Sequence, residues 1–172
     1  MFLRPDLVLT SVEQLTPDVL AHQGIRGLLL DLDNTLIPPK CGLNPPESVL
    51  AWLDVMRASG VAMVVVSNNK RDVYVREAGE RLGLPAIAYA AKPFGPGLKT
   101  GLQQLQLLPQ QVAVVGDKPL TDIWGGVSLG CKTVLVRSQR AAACLEPGWM
   151  RFLRRLERLI LTPDAQAKSA MY

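Results

Sequence analysis

At 172 residues, with 48% hydrophobic and 20% charged side chains, the chain has the size of one domain and enough apolar material to fill its own core. Its purely apolar runs, such as 61–66, fall far short of the ~20 residues that cross a bilayer, and Arg4, Pro5 and Asp6 interrupt the stretch where a secretory leader would need an apolar core. An odd set of cysteines without CxxC spacing (Cys41, Cys131, Cys144) argues against a disulfide framework and gives a reducing, cytoplasmic setting as the expectation, while the net charge of +4 suggests an anionic partner without choosing one.

In chain order, the segment 1–24 comes before any clear strand. Thr16-Pro17-Asp18 predicts a short helix through Leu20 and Ala21 that covers an edge or face of a sheet. His22, the sole histidine, is expected to face solvent, since no second histidine or cysteine stands near it to complete a metal site. From there, short apolar runs at 26–32, 61–67, 86–90, 112–116 and 132–136 alternate with helical patterns. That alternation predicts an α/β, Rossmann-like fold with a mostly parallel, five-stranded sheet flanked by helices.

Between the first two strands, Asn44-Pro45-Pro46-Glu47 predicts a helix start with Asn44 as cap, running to Gly60. A second helix from about Arg71 closes at Leu82-Gly83-Leu84-Pro85, where glycine supplies a left-handed end and proline forbids continuation. Helices near 96–107 and 119–129 follow, the last stopped by Gly130. The domain is drawn as 1–161, with a basic amphipathic helix at 145–161 and a flexible tail at 162–172.

The polar residues sit where the strands end, which is where open parallel sheets bind ligands. The first strand runs into Asp31-Leu32-Asp33-Asn34-Thr35, the second into Ser67-Asn68-Asn69, the third is followed by Lys92-Pro93, and the fourth by Gly116-Asp117 with Asp122 beyond. Asp31 and Asp33 would share a face if the chain stayed extended. Like charges that close require a proton or a cation, and hard carboxylate oxygens suit Mg²⁺. Turn chemistry explains any one of these ends, but four in succession are hard to explain that way. Ser67 as a helix cap, Lys92 as a solvated loop charge and Asp122 as a helix cap stay open as structural alternatives.

Over about residues 25–136 the chain resembles the haloacid dehalogenase (HAD) superfamily of phosphotransferases: DLDNT looks like motif I, VVVSNN like motif II, the lysine of AAKPFG like motif III, and GDKPLTD like motif IV. The resemblance implies that Asp31 is the nucleophile that forms an aspartyl-phosphate and that Asp33 is the general acid and base. It further implies Mg²⁺ held by Asp31, the Asp33 backbone carbonyl and Asp117, with Asp122 ligating or supporting. Ser67, Asn68 and Lys92 would bind the phosphoryl group. An acid at position 33 matches the phosphatase and phosphomutase members.

Asp33 to Ser67 spans 34 residues and Ser67 to Lys92 spans 25, room for about one helix each. No cap domain is expected, and a site without a lid fits a bulky substrate whose own body shields the centre. Six arginines against Glu146 and Glu157 between Arg137 and Arg158 account for the whole basic excess. There Phe152, Leu153, Leu156, Leu159 and Ile160 form one stripe opposite Arg151, Arg154, Arg155 and Arg158, the pattern of a core-docked helix or of an interfacial one. The GIRGLLLDLDNTL opening and the GDKPLTDIWGG block resemble subfamily IIIA of the YqeG type. Organellar relatives of that type dephosphorylate phosphatidylglycerophosphate. The reading is therefore a Mg²⁺-dependent phosphomonoester hydrolase, acting on an anionic phospholipid at a membrane surface through peripheral contact of the basic helix. A soluble phosphatase of nucleotide, sugar or protein phosphates is the alternative, and an RNA- or ribosome-binding module is disfavoured by the intact acid pair.

Overall fold

The computed structural model describes residues 4–38 and 42–137. Eleven regular elements alternate along them: β1 (Leu7–Leu9), α1 (Pro17–His22), β2 (Gly27–Leu30), α2 (Glu47–Ala58), β3 (Ala62–Val66), α3 (Asp72–Leu82), β4 (Ala86–Ile87), α4 (Pro96–Leu105), β5 (Val112–Gly116), α5 (Trp124–Leu129) and β6 (Lys132–Val136). The expected basic helix at 145–161 and the tail at 162–172 lie outside the described residues.

All strand pairs are parallel, in the order β1-β6-β5-β2-β3-β4. Both faces of such a sheet must be covered, so its central strands read as unbroken apolar runs. Leu28 and Leu30 of β2 point into one layer with Trp52, Leu53 and Met56 of α2 and Val75, Ala78 and Leu82 of α3. Leu29 points to the opposite layer, with Val64, Val66, Val114 and Leu98 of α4. Leu28, Leu29 and Leu30 are fully buried, each contributing about 1.5–3 kcal/mol over an exposed side chain.

The sheet has six strands, not five. Leu7–Leu9 pairs in parallel with β6, and Asp6 anchors the pairing by accepting from the Thr133 amide and hydroxyl, both at 2.9 Å. A three-residue apolar run without alternation carries no period, so the segment before residue 25 offered only its helix, α1, which Thr16 does cap. The third strand is also shorter than the run 86–90: Tyr89 and Ala91 both adopt φ 51°, a left-handed conformation no strand holds, and the chain leaves the sheet after Ile87.

Two helix starts differ from expectation. Helix α2 is entered from Pro46, with no side-chain cap, and the Asn44 side chain accepts from Arg81 instead. The region 119–129 is not one α-helix: Pro119–Ile123 forms a wider π-type turn ahead of α5, and this swings Asp122 into the interior. Gly83 and Gly130 end α3 and α5 with φ 62° and 73°, as their positions predicted.

β2 is the topological centre. The chain passes from it to β3 and β4 on one side, then returns to β5 on the other, so the strand order reverses between β2 and β5. Ligands of open α/β sheets bind beyond the carboxyl ends at this point. Asp31 follows β2 and Asp117 follows β5. The β2–β3 and β3–β4 connections each carry a single helix, and no cap domain is inserted among the described residues.

Candidate active site

The first turn after β2 separates the two acids. Asp31 still donates its amide to Val115 as if the strand continued. Then Leu36 and Ile37 both donate back to the Leu32 carbonyl, with Asn34 at φ 70°, a left-handed position that asparagine tolerates. The consequence is that the two carboxylates leave the turn toward different partners.

Asp31 meets Lys92. The ammonium lies 2.6 Å from Asp31 Oδ1, 2.7 Å from the Val66 carbonyl and 2.7 Å from Asp122 Oδ1, so three elements converge on one buried cation. Thr35 Oγ1 donates to the other Asp31 oxygen at 3.4 Å. Burial alone would drive the Lys92 ammonium down, but Asp31 and Asp122 hold it charged, above its ordinary value. For Asp122, burial pushes the carboxyl up and the charge of Asp31 pushes the same way, against the pull of Lys92.

The loop that delivers Lys92 is pinned by Asn68, whose side-chain oxygen accepts from the Lys92 amide at 2.7 Å and whose nitrogen donates to the Lys92 carbonyl at 3.1 Å. Ser67 is buried, and its hydroxyl oxygen accepts from the Asn69 amide at 3.1 Å. The cap position of α3 belongs to Arg71, four residues on, so Ser67 does not cap that helix.

Asp122 approaches from below the end of β5. Its second oxygen accepts from the Lys118 amide at 3.0 Å, and its carboxylate lies where a side chain at position 116 would stand. Any Cβ at Gly116 would overlap that carboxylate, so glycine here is what admits the acid to the cluster. Asp117 brings an oxygen 3.7 Å from the Lys118 ammonium. Burial lowers the affinity of Lys118 for its proton, and Asp117, Asp31 and Asp122 more than reverse this.

One oxygen from each of Asp31, Asp117 and Asp122 lies within 4.8 Å of the other two. Asp33 contributes no side-chain oxygen to that cluster; its carboxylate accepts from Asn69 Nδ2 at 3.1 Å and from the Tyr74 hydroxyl at 3.0 Å. Burial first, and the Asp33 charge and hydrogen bond second, push the Tyr74 phenol up to about 12. Asn69 and Tyr74 had no predicted role. Asn69 stood within the VVVSNN block as a usable signal, whereas Tyr74 lies on α3, away from any motif.

The donor set suits a hard divalent cation. Asp31, Asp117 and Asp122 gather three carboxylates around the Lys92 and Lys118 ammonium groups, hard oxygen ligands of the kind such an ion takes.

Similarity to known proteins follows the same lines. A family model described as HAD-hydrolase-like matches residues 89–149. Over 162 residues the chain is 32% identical to the probable phosphatase YqeG of Bacillus subtilis (strain 168), covering 94% of this chain and 91% of that one. The chain belongs to the HAD-like hydrolase family. Its class is that of a HAD-type phosphatase. A second relative, named chloroplastic phosphatidylglycerophosphate phosphatase 1 of Chlamydomonas reinhardtii, is 29% identical over 160 residues, which span 89% of this chain but 59% of that longer one. Within the family's solved structures, the putative 3-deoxy-D-manno-octulosonate 8-phosphate phosphatase of Vibrio cholerae shares the fold, with a TM-score of 0.54 at 14% identity over 91% of this chain and 93% of that one.

Proposed function

We propose that the chain is a Mg²⁺-dependent phosphomonoester hydrolase working through an aspartyl-phosphate on Asp31, with phosphatidylglycerophosphate as its substrate at the inner face of a membrane. The observation that carries the chemistry is the buried Lys92 ammonium between Asp31 and Asp122, beside Asp117. Asp31, Asp117 and Asp122, with the Asp33 backbone carbonyl, would hold the ion. When bound, it screens the carboxylate from the phosphate, two anions that otherwise repel.

The chain's own residues then divide the work. An Asp31 oxygen attacks phosphorus and the ester oxygen leaves, taking a proton from Asp33. Water next gives its proton to Asp33 and attacks phosphorus, releasing phosphate and restoring Asp31. Lys92 offsets the charge that the attacking carboxylate and the phosphoryl group share, at a site where burial makes that charge matter. Ser67 accepts from Asn69 and so keeps its own proton for a phosphoryl oxygen. With the Asn68 side chain committed to the Lys92 backbone, its part in binding falls to its backbone amide.

Asp33 rests between Asn69 and Tyr74, both of which donate to it. These contacts orient the carboxylate. Two observations support the lipid substrate: an open site served by single-helix connections, and a relative named for phosphatidylglycerophosphate. The test is Mg²⁺-dependent phosphate release from a panel of phosphatidylglycerophosphate, nucleoside monophosphates and sugar phosphates, with Asp31→Asn as control. Release from the lipid ester alone is expected. Release only from soluble esters would remove the lipid assignment, and full turnover in the Asp31→Asn variant would remove the mechanism.

A further inference from the structure

Among the described residues, the exposed aromatic side chains stand at one end of the sheet. Tyr89 (57% exposed) follows β4, Phe94 (66%) follows the Lys92 turn, and Trp124 (37%) opens α5. The other described aromatics, Trp52 and Tyr74, are buried or half-buried. Because every strand is parallel, this is the end where the acids and Lys92 meet.

Phe94 and Trp124 touch each other, with ring centroids 4.9 Å apart and planes at 82°. Each lies two residues beyond a group of the centre, Lys92 and Asp122. Glycine makes the contact possible: a Cβ at Gly125 would meet Leu98 and crowd Pro93, so its absence lets the Lys92 loop close on α5. Nothing in the chemistry described above uses either ring.

The same end is ringed with cations. Lys70 and Arg71 precede α3 and Lys99 lies in the first turn of α4, all three exposed, against the acids Asp72 and Glu47 at helix starts, while Lys118 is held by Asp117. An apolar pair inside a basic rim fits one partner best, a lipid surface bearing negative headgroups, where aromatic side chains sit at the boundary and cations meet the phosphates. A second copy would bring like charges face to face.

We infer that Phe94 and Trp124 form an interfacial anchor that inserts into the headgroup region of an anionic bilayer and sets the mouth of the site against it. The inference rests on the substrate being lipid-borne. It adds that binding and orientation come from the folded domain itself.

The test compares the wild-type full chain with a Phe94→Ala/Trp124→Ala double variant on vesicles of phosphatidylcholine and phosphatidylglycerol. Sedimentation in about 1 M salt, where the screening length is about 3 Å, isolates the apolar part of binding. The expected result is binding by the wild type and a loss of about tenfold or more in the variant. The KM for vesicle-borne phosphatidylglycerophosphate should rise in parallel, while p-nitrophenyl phosphate turnover stays within about twofold. Phe94→Ala alone removes the more exposed ring without touching the core, and it should show the loss even if the double variant melts early. Three results overturn the anchor: no vesicle binding by the wild type, unchanged binding and turnover in both variants, or a defect confined to nucleoside monophosphates. Vesicle binding lost in the variants, with no phosphate released from lipid by the wild type, would uphold the anchor and remove the lipid ester as substrate.

Discussion

Replacing Lys92 by methionine keeps the length of the side chain and removes one charge from a buried cluster. The ammonium makes contacts of 2.6, 2.7 and 2.7 Å to Asp31, Asp122 and the Val66 carbonyl, and its side chain is 2% exposed, against 8% and 1% for the two acids. Removing one partner from a buried ionic cluster costs about 3–5 kcal/mol, because the remaining charges stay buried and unbalanced. For a chain of this size, with about 2–4 °C per kcal/mol, the melting temperature should fall by about 6–20 °C. Thermal melts in EDTA at neutral pH measure this directly. The pH dependence has a definite sign: folding raises the Lys92 value above its ordinary 10.5, so its contribution is complete below that pH and is lost as pH rises through the folded value. The gap between wild type and variant should be flat from pH 7 to 10 and narrow above. A melting temperature within about 2 °C of wild type, less than the shift expected from 1 kcal/mol, would refute the reasoning.

Asp33→Asn should lower kcat for phosphate release by about 10²–10⁴, the range of general acid and base catalysis, with little change in melting temperature. Gly116→Ala forces a methyl group into the Asp122 carboxylate; it should lower stability by about 1–3 kcal/mol in urea melts and raise the Mg²⁺ concentration needed for activity. Tyr74 should titrate near 12 by ultraviolet absorbance, and in an Asp33→Asn variant it should move part of the way back toward 10, since burial remains while the neighbouring charge is gone. The stability that Tyr74 contributes through this shift is present below pH 10 and is lost between 10 and 12.

The sheet was legible where strands were long and apolar on both faces, as at Leu28, Leu29 and Leu30 and at Val112–Gly116. It was not legible at β1, whose three residues are held by a distant Asp6–Thr133 pairing that no local pattern announces. The same limit explains Asn44, which a propensity argument puts at a helix start and which instead meets Arg81 across 37 positions. In the site, Asp31 and Asp117 stood at strand ends, which the parallel order brings together, whereas Lys92 lies beyond the edge strand and is brought in by the loop that Asn68 pins. Asp122 reaches them through a π-type turn and the missing side chain of Gly116, both features of tertiary packing. Tyr74 is a further such case, since only the folded β3–α3 connection turns its hydroxyl back to Asp33.

The central claim is that Asp31 carries the phosphoryl group during turnover. It is tested most directly by acid-quenching the enzyme during hydrolysis in Mg²⁺ and mapping peptides by mass spectrometry. The account predicts a phosphoryl group on the peptide that contains Asp31, absent when Mg²⁺ is withheld. A phosphoryl group on another residue, or sustained turnover with no covalent adduct, would contradict it.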